Sequence, residues 1–323
     1  MVKIDLKDRK ILYQLDIDSR KSSSQIGKEV GLPKHVVNYH INNLIKNGVI
    51  ENFYTLINAY KLGYIGFRLY IIFQYLQPNK KREIIDYFVK EKKIWVVDSV
   101  IGRFHLTLSV WVDNIEDFYR FWNKTLDKYG DYFADYICST YIYDFTYRYS
   151  YLLLDKYDKS DRMSYEITGG GKKVDIEKFD IEILNNIALN ARIPLNTLSE
   201  ILNCSPKTIR KRINNLIKLG IIQGFRTNID ISKLGLKYFK VDIFFKEYNQ
   251  RKKIINYIKY NPNLINIGTT IGFSGLDLSF HLEHLNNLHQ IMDDLKRKFP
   301  TAIKNYQYFI VSKIYKMRYM PEL

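Results

Sequence analysis

Two clusters of side chains able to touch nucleic acid stand on what reads as one helix written twice. Lys34, His35, Asn38, Tyr39 and Asn42 share a helical face, and Lys207, Thr208, Arg210, Lys211 and Asn214 occupy the matching stretch later in the chain. Ammonium, guanidinium and amide groups on the N-terminal half of a helix are the groups that meet phosphates and base edges in a major groove. Between the reading residues the apolar frame is kept, and Ile41–Lys46 recurs unchanged as Ile213–Lys218. Val37, Ile41, Leu44 and Ile45, with Ile209, Ile213, Leu216 and Ile217, are expected to be the buried stripes. A kept frame with a changed face predicts two different half-sites, and double-stranded DNA as the partner.

Other clusters carry less chemistry. His281, His284 and His289 lie near Glu283, but their spacing matches no common metal site. The Gly-Gly-Gly-Lys-Lys stretch at 169–173 has Glu166 where a phosphate loop needs glycine. No nucleophile elbow or paired-carboxylate motif is present, so no enzyme activity, metal or cofactor is expected. Cys138 and Cys204 are the two cysteines and form no metal or redox motif. Tyr141, Tyr143, Phe145, Tyr147, Tyr149 and Tyr151 alternate, as a row packing one face of a strand would.

The elements that position these residues follow from the repeat. Positions 8–63 align with 180–235 without a gap, sharing Arg20/Arg192, Phe53/Phe225 and Gly48/Gly220, and the likeness continues to Arg148-Tyr149 against Arg318-Tyr319. Helical spacing predicts three helices in the first part of each copy, the third introduced by a turn and followed by a β-hairpin wing over "VIENFYTLIN". The second part reads as βαββαβ, with Gly102 and Gly272 turning between the two middle strands. The fold class expected is α+β: a winged helix-turn-helix over 1–62, a ferredoxin-like α/β domain over 63–154, a linker over 155–173, and the same pair over 174–234 and 235–321. The chain of 323 residues carries a net charge of +16, most of it in the second copy, which suits a polyanionic partner. No run approaches the length of a membrane span and the N-terminus has no apolar leader core, so a cytoplasmic protein with no membrane partner is expected.

A winged helix followed by βαββαβ resembles the Lrp/AsnC (feast/famine) family, most closely in "SPKTIRKRINNLIKLGII" at 205–222 and "VIGRFHLTLSVWVDNIEDF" at 100–118. The resemblance covers nearly the whole chain, twice. It implies a transcription regulator, α/β (RAM-type) domains that dimerise through their sheets, and a small effector bound near the glycine turn. Its site would fall on Gly102, Arg103 and His105, and on Gly272, Ser274 and Asp277. The family turn commonly reads Gly-x-x-Asp; here the first copy lacks the acid and the second has it out of register, and Arg103 and His105 would suit an anionic group. The expected assembly is a covalent pseudo-dimer that forms a homo-oligomer, with pairing of like α/β domains between two chains as the rival arrangement. Two alternatives are an architectural DNA binder and a sirohaem decarboxylase-like enzyme, which resembles the same build but carries a His-Asn-Tyr stretch that this chain lacks.

Overall fold

The computed structural model describes residues 2–156 and 158–321. The first copy runs α1 (Leu6–Ile17), α2 (Ser23–Val30), α3 (Lys34–Lys46), β1 (Ile50–Ile57), β2 (Ile65–Phe73), α4 (Pro78–Lys90), β3 (Ile94–Gly102), β4 (Leu106–Val112), α5 (Ile115–Tyr129) and β5 (Phe133–Tyr147). After β6 (Tyr165–Gly169) the second copy repeats the order: α6 (Lys178–Ala188), α7 (Leu195–Ile201), α8 (Pro206–Lys218), β7 (Ile222–Ile229), β8 (Lys237–Phe245), α9 (Arg251–Ile258), β9 (Leu264–Ile271), β10 (Leu276–Leu282), α10 (Leu285–Lys298) and β11 (Ile303–Met317).

Local signals explain the helical parts. Asp5 and Ser22 close capping boxes on α1 and α2, satisfying first-turn amides that have no partner in the helix. Gly31, at φ 72°, ends α2 in a left-handed residue and turns the chain toward α3. Ile11, Leu12, Leu15, Ile26, Val37, Ile41 and Leu44 close the first core, and Ile183, Leu184, Ile187, Leu198, Ile209, Ile213 and Leu216 close the second. Ile45 and Ile217 do not join them. They remain 44% and 42% exposed, which corrects their expected burial. Both lie past the seam where the third helix meets the first two, because an apolar stripe is wider than the contact it makes.

The wing also departs from expectation. Each copy contributes one strand, and β1 pairs antiparallel with β7 of the other copy, with Tyr54 opposite Arg226. The segment has no two-residue turn that would fold it on itself, so its ladder partner comes from elsewhere in the chain. Arg20 and Arg192, identical in the repeat, serve this exchange. Arg20 donates to the carbonyl of Ala191 at 2.7 Å, and Arg192 donates to the carbonyls of Ser19 and Lys21. Each guanidinium also sits over the other copy's wing phenylalanine, Phe225 or Phe53.

The α/β halves close on each other within the chain. β3 pairs with β11 and β9 with β5, so β5-β2-β4-β3-β11-β8-β10-β9 forms a ring that returns to β5. The helices cover the outside, where Leu69, Ile71, Leu108 and Val110 meet α4 and α5, and Phe239, Val241, Leu278 and Phe280 meet α9 and α10. Alternate residues therefore point inward.

The connection expected to be unpatterned carries structure. β6 pairs with β5, and Gly169, at φ 111°, lies so close to the carbonyl of Ile142 that a Cβ there would meet it at 2.2 Å. Arg162 is fully buried and donates to the carbonyls of Lys259, Asn261 and Leu264. The aromatic row is broken too. A register shift between Tyr141 and Tyr143 re-aims the strand, and Tyr149 and Tyr151 lie beyond its end.

Candidate nucleic-acid interface and the lumen between the copies

Lys34, His35, Asn38, Tyr39 and Asn42 are exposed on α3, and Lys207, Thr208, Arg210, Lys211 and Asn214 are exposed on α8. The two helices differ at their starts. Ser205 accepts the Thr208 amide at 3.1 Å and Pro206 occupies the first turn of α8, whereas Pro33 gives α3 no side-chain cap. Asn38 is held by the Ser23 hydroxyl of α2. Behind each reading face a corresponding pair ties the third helix to the first: His40 Nδ1 lies 2.7 Å from Asp8, and Arg212 bonds Glu177 at 2.7 Å. Asp5, Asp8 and His40 cluster closely enough to hold a metal ion, but the second copy puts Arg212 where His40 stands. The shared role is a contact that ties the third helix to the first.

The glycine turns meet at one end of the ring, where most of the residues expected to hold an effector stay at its rim. Gly102, at φ 148°, packs on Tyr308 and Phe309, and Gly272, at φ 110°, packs on Cys138 and Ser139. The turns meet through Phe104 and Phe273, whose rings lie 5.8 Å apart and plug one end of the ring with Tyr70 and Phe309. His105 Nδ1 accepts the Phe73 amide at 2.9 Å, and burial, aided by Lys81, pushes the imidazole below its ordinary pKa. Ser274 donates to Asp242 at 3.0 Å. Arg103 remains exposed, donating to Gln307 at 3.2 Å. Asp277 leaves the turn altogether and faces the lumen, where Arg68 donates to it. The turns therefore come together as a plug, with Asp277 apart from the other five.

The lumen holds charges that motif reading passed over. Lys240 lies 3.5 Å from Asp277, and Tyr141 donates to the same carboxylate at 2.9 Å. Asp242 accepts from Tyr70 at 3.1 Å. Burial lifts Asp98 to about 6 and Asp242 and Asp144 to about 7. The signal was available as a charge at the wrong parity. Arg68 interrupts Phe67, Leu69 and Ile71, and Lys240 interrupts Phe239, Val241 and Ile243, at the same place in both copies.

A second buried network lies where the first helix-turn-helix meets the ring. Arg226 of β7 donates to Asp16 of α1 at 2.9 Å, to Glu166 of β6 at 2.7 Å and to the Tyr147 carbonyl at 2.9 Å, with both Arg226 and Asp16 wholly buried.

Comparison with known proteins fits this architecture. A winged helix-turn-helix DNA-binding family model matches residues 4–51 and again 176–223. An HTH-type transcriptional regulator of Pyrococcus furiosus is 32% identical over 127 residues, which make up 39% of this chain and 82% of that protein. One of Pyrococcus horikoshii is 32% identical over 122 residues, 37% of this chain and 75% of that protein. Among solved structures, the siroheme decarboxylase NirDL superposes with a TM-score of 0.64 at 12% identity, covering 98% of this chain and 94% of that one. At that identity the likeness is one of fold. No helix among the described residues is long and apolar enough to cross a membrane.

Proposed function

The chain belongs to the family of HTH-type transcriptional regulators, in domain order of the Lrp/AsnC kind, and on that premise we propose that it works as a covalent pseudo-dimer reading an asymmetric DNA site. The observation that carries this is the pairing of two winged helix-turn-helix units across one shared ribbon while their exposed third-helix faces differ. The α8 face, with Lys207, Arg210 and Lys211, supplies more of the phosphate affinity. The α3 face, with His35, Asn38 and Tyr39, supplies neutral groups suited to base edges. One chain brings both readers, so occupying two half-sites requires no second chain.

Selection of bound fragments from random and genomic DNA at two salt concentrations tests this. The expected result is a two-part motif with unlike halves that persists at the higher salt. A palindromic motif would count against unlike readers. Loss of all binding as salt rises, with no motif, would make the protein an architectural binder.

A second reading, an enzyme like the siroheme decarboxylase, has the end-to-end fold in its favour. The positions corresponding to that enzyme's His-Asn-Tyr stretch read Trp95–Phe104 and Ile265–Ser274, without the triplet. Titration with an iron tetrapyrrole separates the readings. A tight complex with a shifted Soret band supports the enzyme, and an unchanged spectrum supports the regulator.

A further inference from the structure

The ring encloses a cavity of about 690 Å³ that reaches from the lumen to the wing ribbon, where Tyr54 and Asn228 line it. Its chemistry is unlike that of a packed domain interface. Its lining brings three carboxylates, Asp98, Asp144 and Asp277, against two cations, Arg68 and Lys240. Both cations are engaged by Asp277. Asp98 is 3% exposed and its Oδ1 makes no hydrogen bond within the described protein; Thr107, Arg68 and Lys240 favour its charge, but no cation lies within ion-pair distance among the described residues. Asp144 has an amide partner, Asn266, at 3.0 Å, but no cation within ion-pair distance among the described residues. Burial without a full counter-charge is what raises both.

Part of the cavity wall that the strand of Asp98 contributes is aromatic. A register shift between Ile94 and Val96 lets both Trp95 and Val96 line the cavity. Trp95 stacks on Trp111 with ring centres 5.3 Å apart, Tyr60 meets Trp111 edge-on at 5.2 Å, and neither indole N–H has a partner in the described protein. An unpaired buried carboxylate is costly unless something brings it a positive charge, and aromatic rings stabilise a cation placed against them.

We propose that the lumen binds a small organic cation, an amine or guanidinium group on an apolar or aromatic body, with its charge on Asp98 and its body against Trp95 and Trp111. The site is distinct from the glycine turns and does not depend on the DNA-binding reading. That reading enters only in the consequence that a ligand touching both sheets and the ribbon would bear on how the two readers are held.

The test uses the full chain and four probes, tryptamine and phenethylamine against the oppositely charged indole-3-acetate and phenylacetate, followed by calorimetry and thermal unfolding at millimolar probe. The amines are expected to bind and raise the melting temperature, and the acids are not. Asp98→Asn is expected to weaken amine binding by at least about tenfold, the loss of one charge-assisted contact. Circular dichroism verifies its fold, and Asp98→Ser serves as a second variant should Asp98→Asn misfold. Binding of the acids instead, equal binding of both charges, amine binding unaffected by the variants, or no binding of either amine would each overturn the proposal. DNA binding measured separately distinguishes failure of this site from failure of the regulator reading.

Discussion

The two joints between winged helix and ring occupy equivalent places and are built from opposite materials. In one, Arg226 lies over the Tyr149 ring, 5.4 Å from its centre, and is bound by Asp16 and Glu166. In the other, the place of Arg226 is taken by Tyr54, which stacks on Tyr319 at 3.8 Å, and the place of Asp16 is taken by Ala188. Tyr54 and Arg226 face each other in the ribbon, so the relation between the copies runs through this one mismatched pair. The two copies share the backbone plan and apolar frame, while the buried contact is aromatic in one joint and ionic in the other. A buried ion pair is a high-stakes contact, worth little against a well-packed apolar substitute yet costly to half-remove.

The sharpest way to break that comparison is Arg226→Met, which leaves Asp16 and Glu166 without their cation. It should cost about 3–5 kcal/mol in urea unfolding, whereas Tyr54→Phe should cost under about 1 kcal/mol. Copying the aromatic joint with Arg226→Tyr and Asp16→Ala together should recover most of the loss. If the double variant is no better than Arg226→Met, the joints are not interchangeable.

A second difference concerns pH. Burial lifts the folded pKa of Asp98 to about 6, above the usual unfolded value near 4, although Arg68 and Lys240 pull it the other way. The folded state therefore holds this proton longer. No penalty exists below about pH 4, and one grows as pH rises toward 6, on the order of 3 kcal/mol. Asp98→Asn should flatten the fall in stability over that range, and an unchanged profile would mean the carboxyl is compensated when folded.

The reading helices give the next test. Replacing Lys207, Arg210 and Lys211 together by alanine should lower DNA affinity roughly a hundredfold and cut the salt slope by about 3. Replacing Lys34 and His35 should change the slope by about 1 and alter the motif in one half only. Equal slopes would erase the proposed division of labour. The smallest effect is at the caps. Ser205→Ala should lower thermal stability by about 1 kcal/mol, while Pro33→Ala at the matching position should not remove any cap.

Much of the scaffold was legible because its signals are local. The helix stripes, the Ser205-Pro206 start and the βαββαβ order all come from spacing within a few residues. Ile45 and Ile217 misled because periodicity marks a face without measuring how far a neighbour covers it. The wing misled because a strand's sequence does not name its partner. Of the candidate sites, the helix faces could be read directly. The lumen was visible only as charges of inward parity at Arg68, Asp98 and Lys240, whose meaning depends on what stands across the ring.

By itself the sequence determined that there are two copies, which elements each contains, and which polar side chains each third helix offers, since propensity, capping and periodicity act between near neighbours. Tertiary structure decided that β1 pairs with β7, that the two sheets close into one ring, and that Asp277 leaves its turn to meet Arg68 across the lumen. Those outcomes depend on satisfying ladder edges and burying two sheet faces at once, a condition shared by residues far apart in the chain.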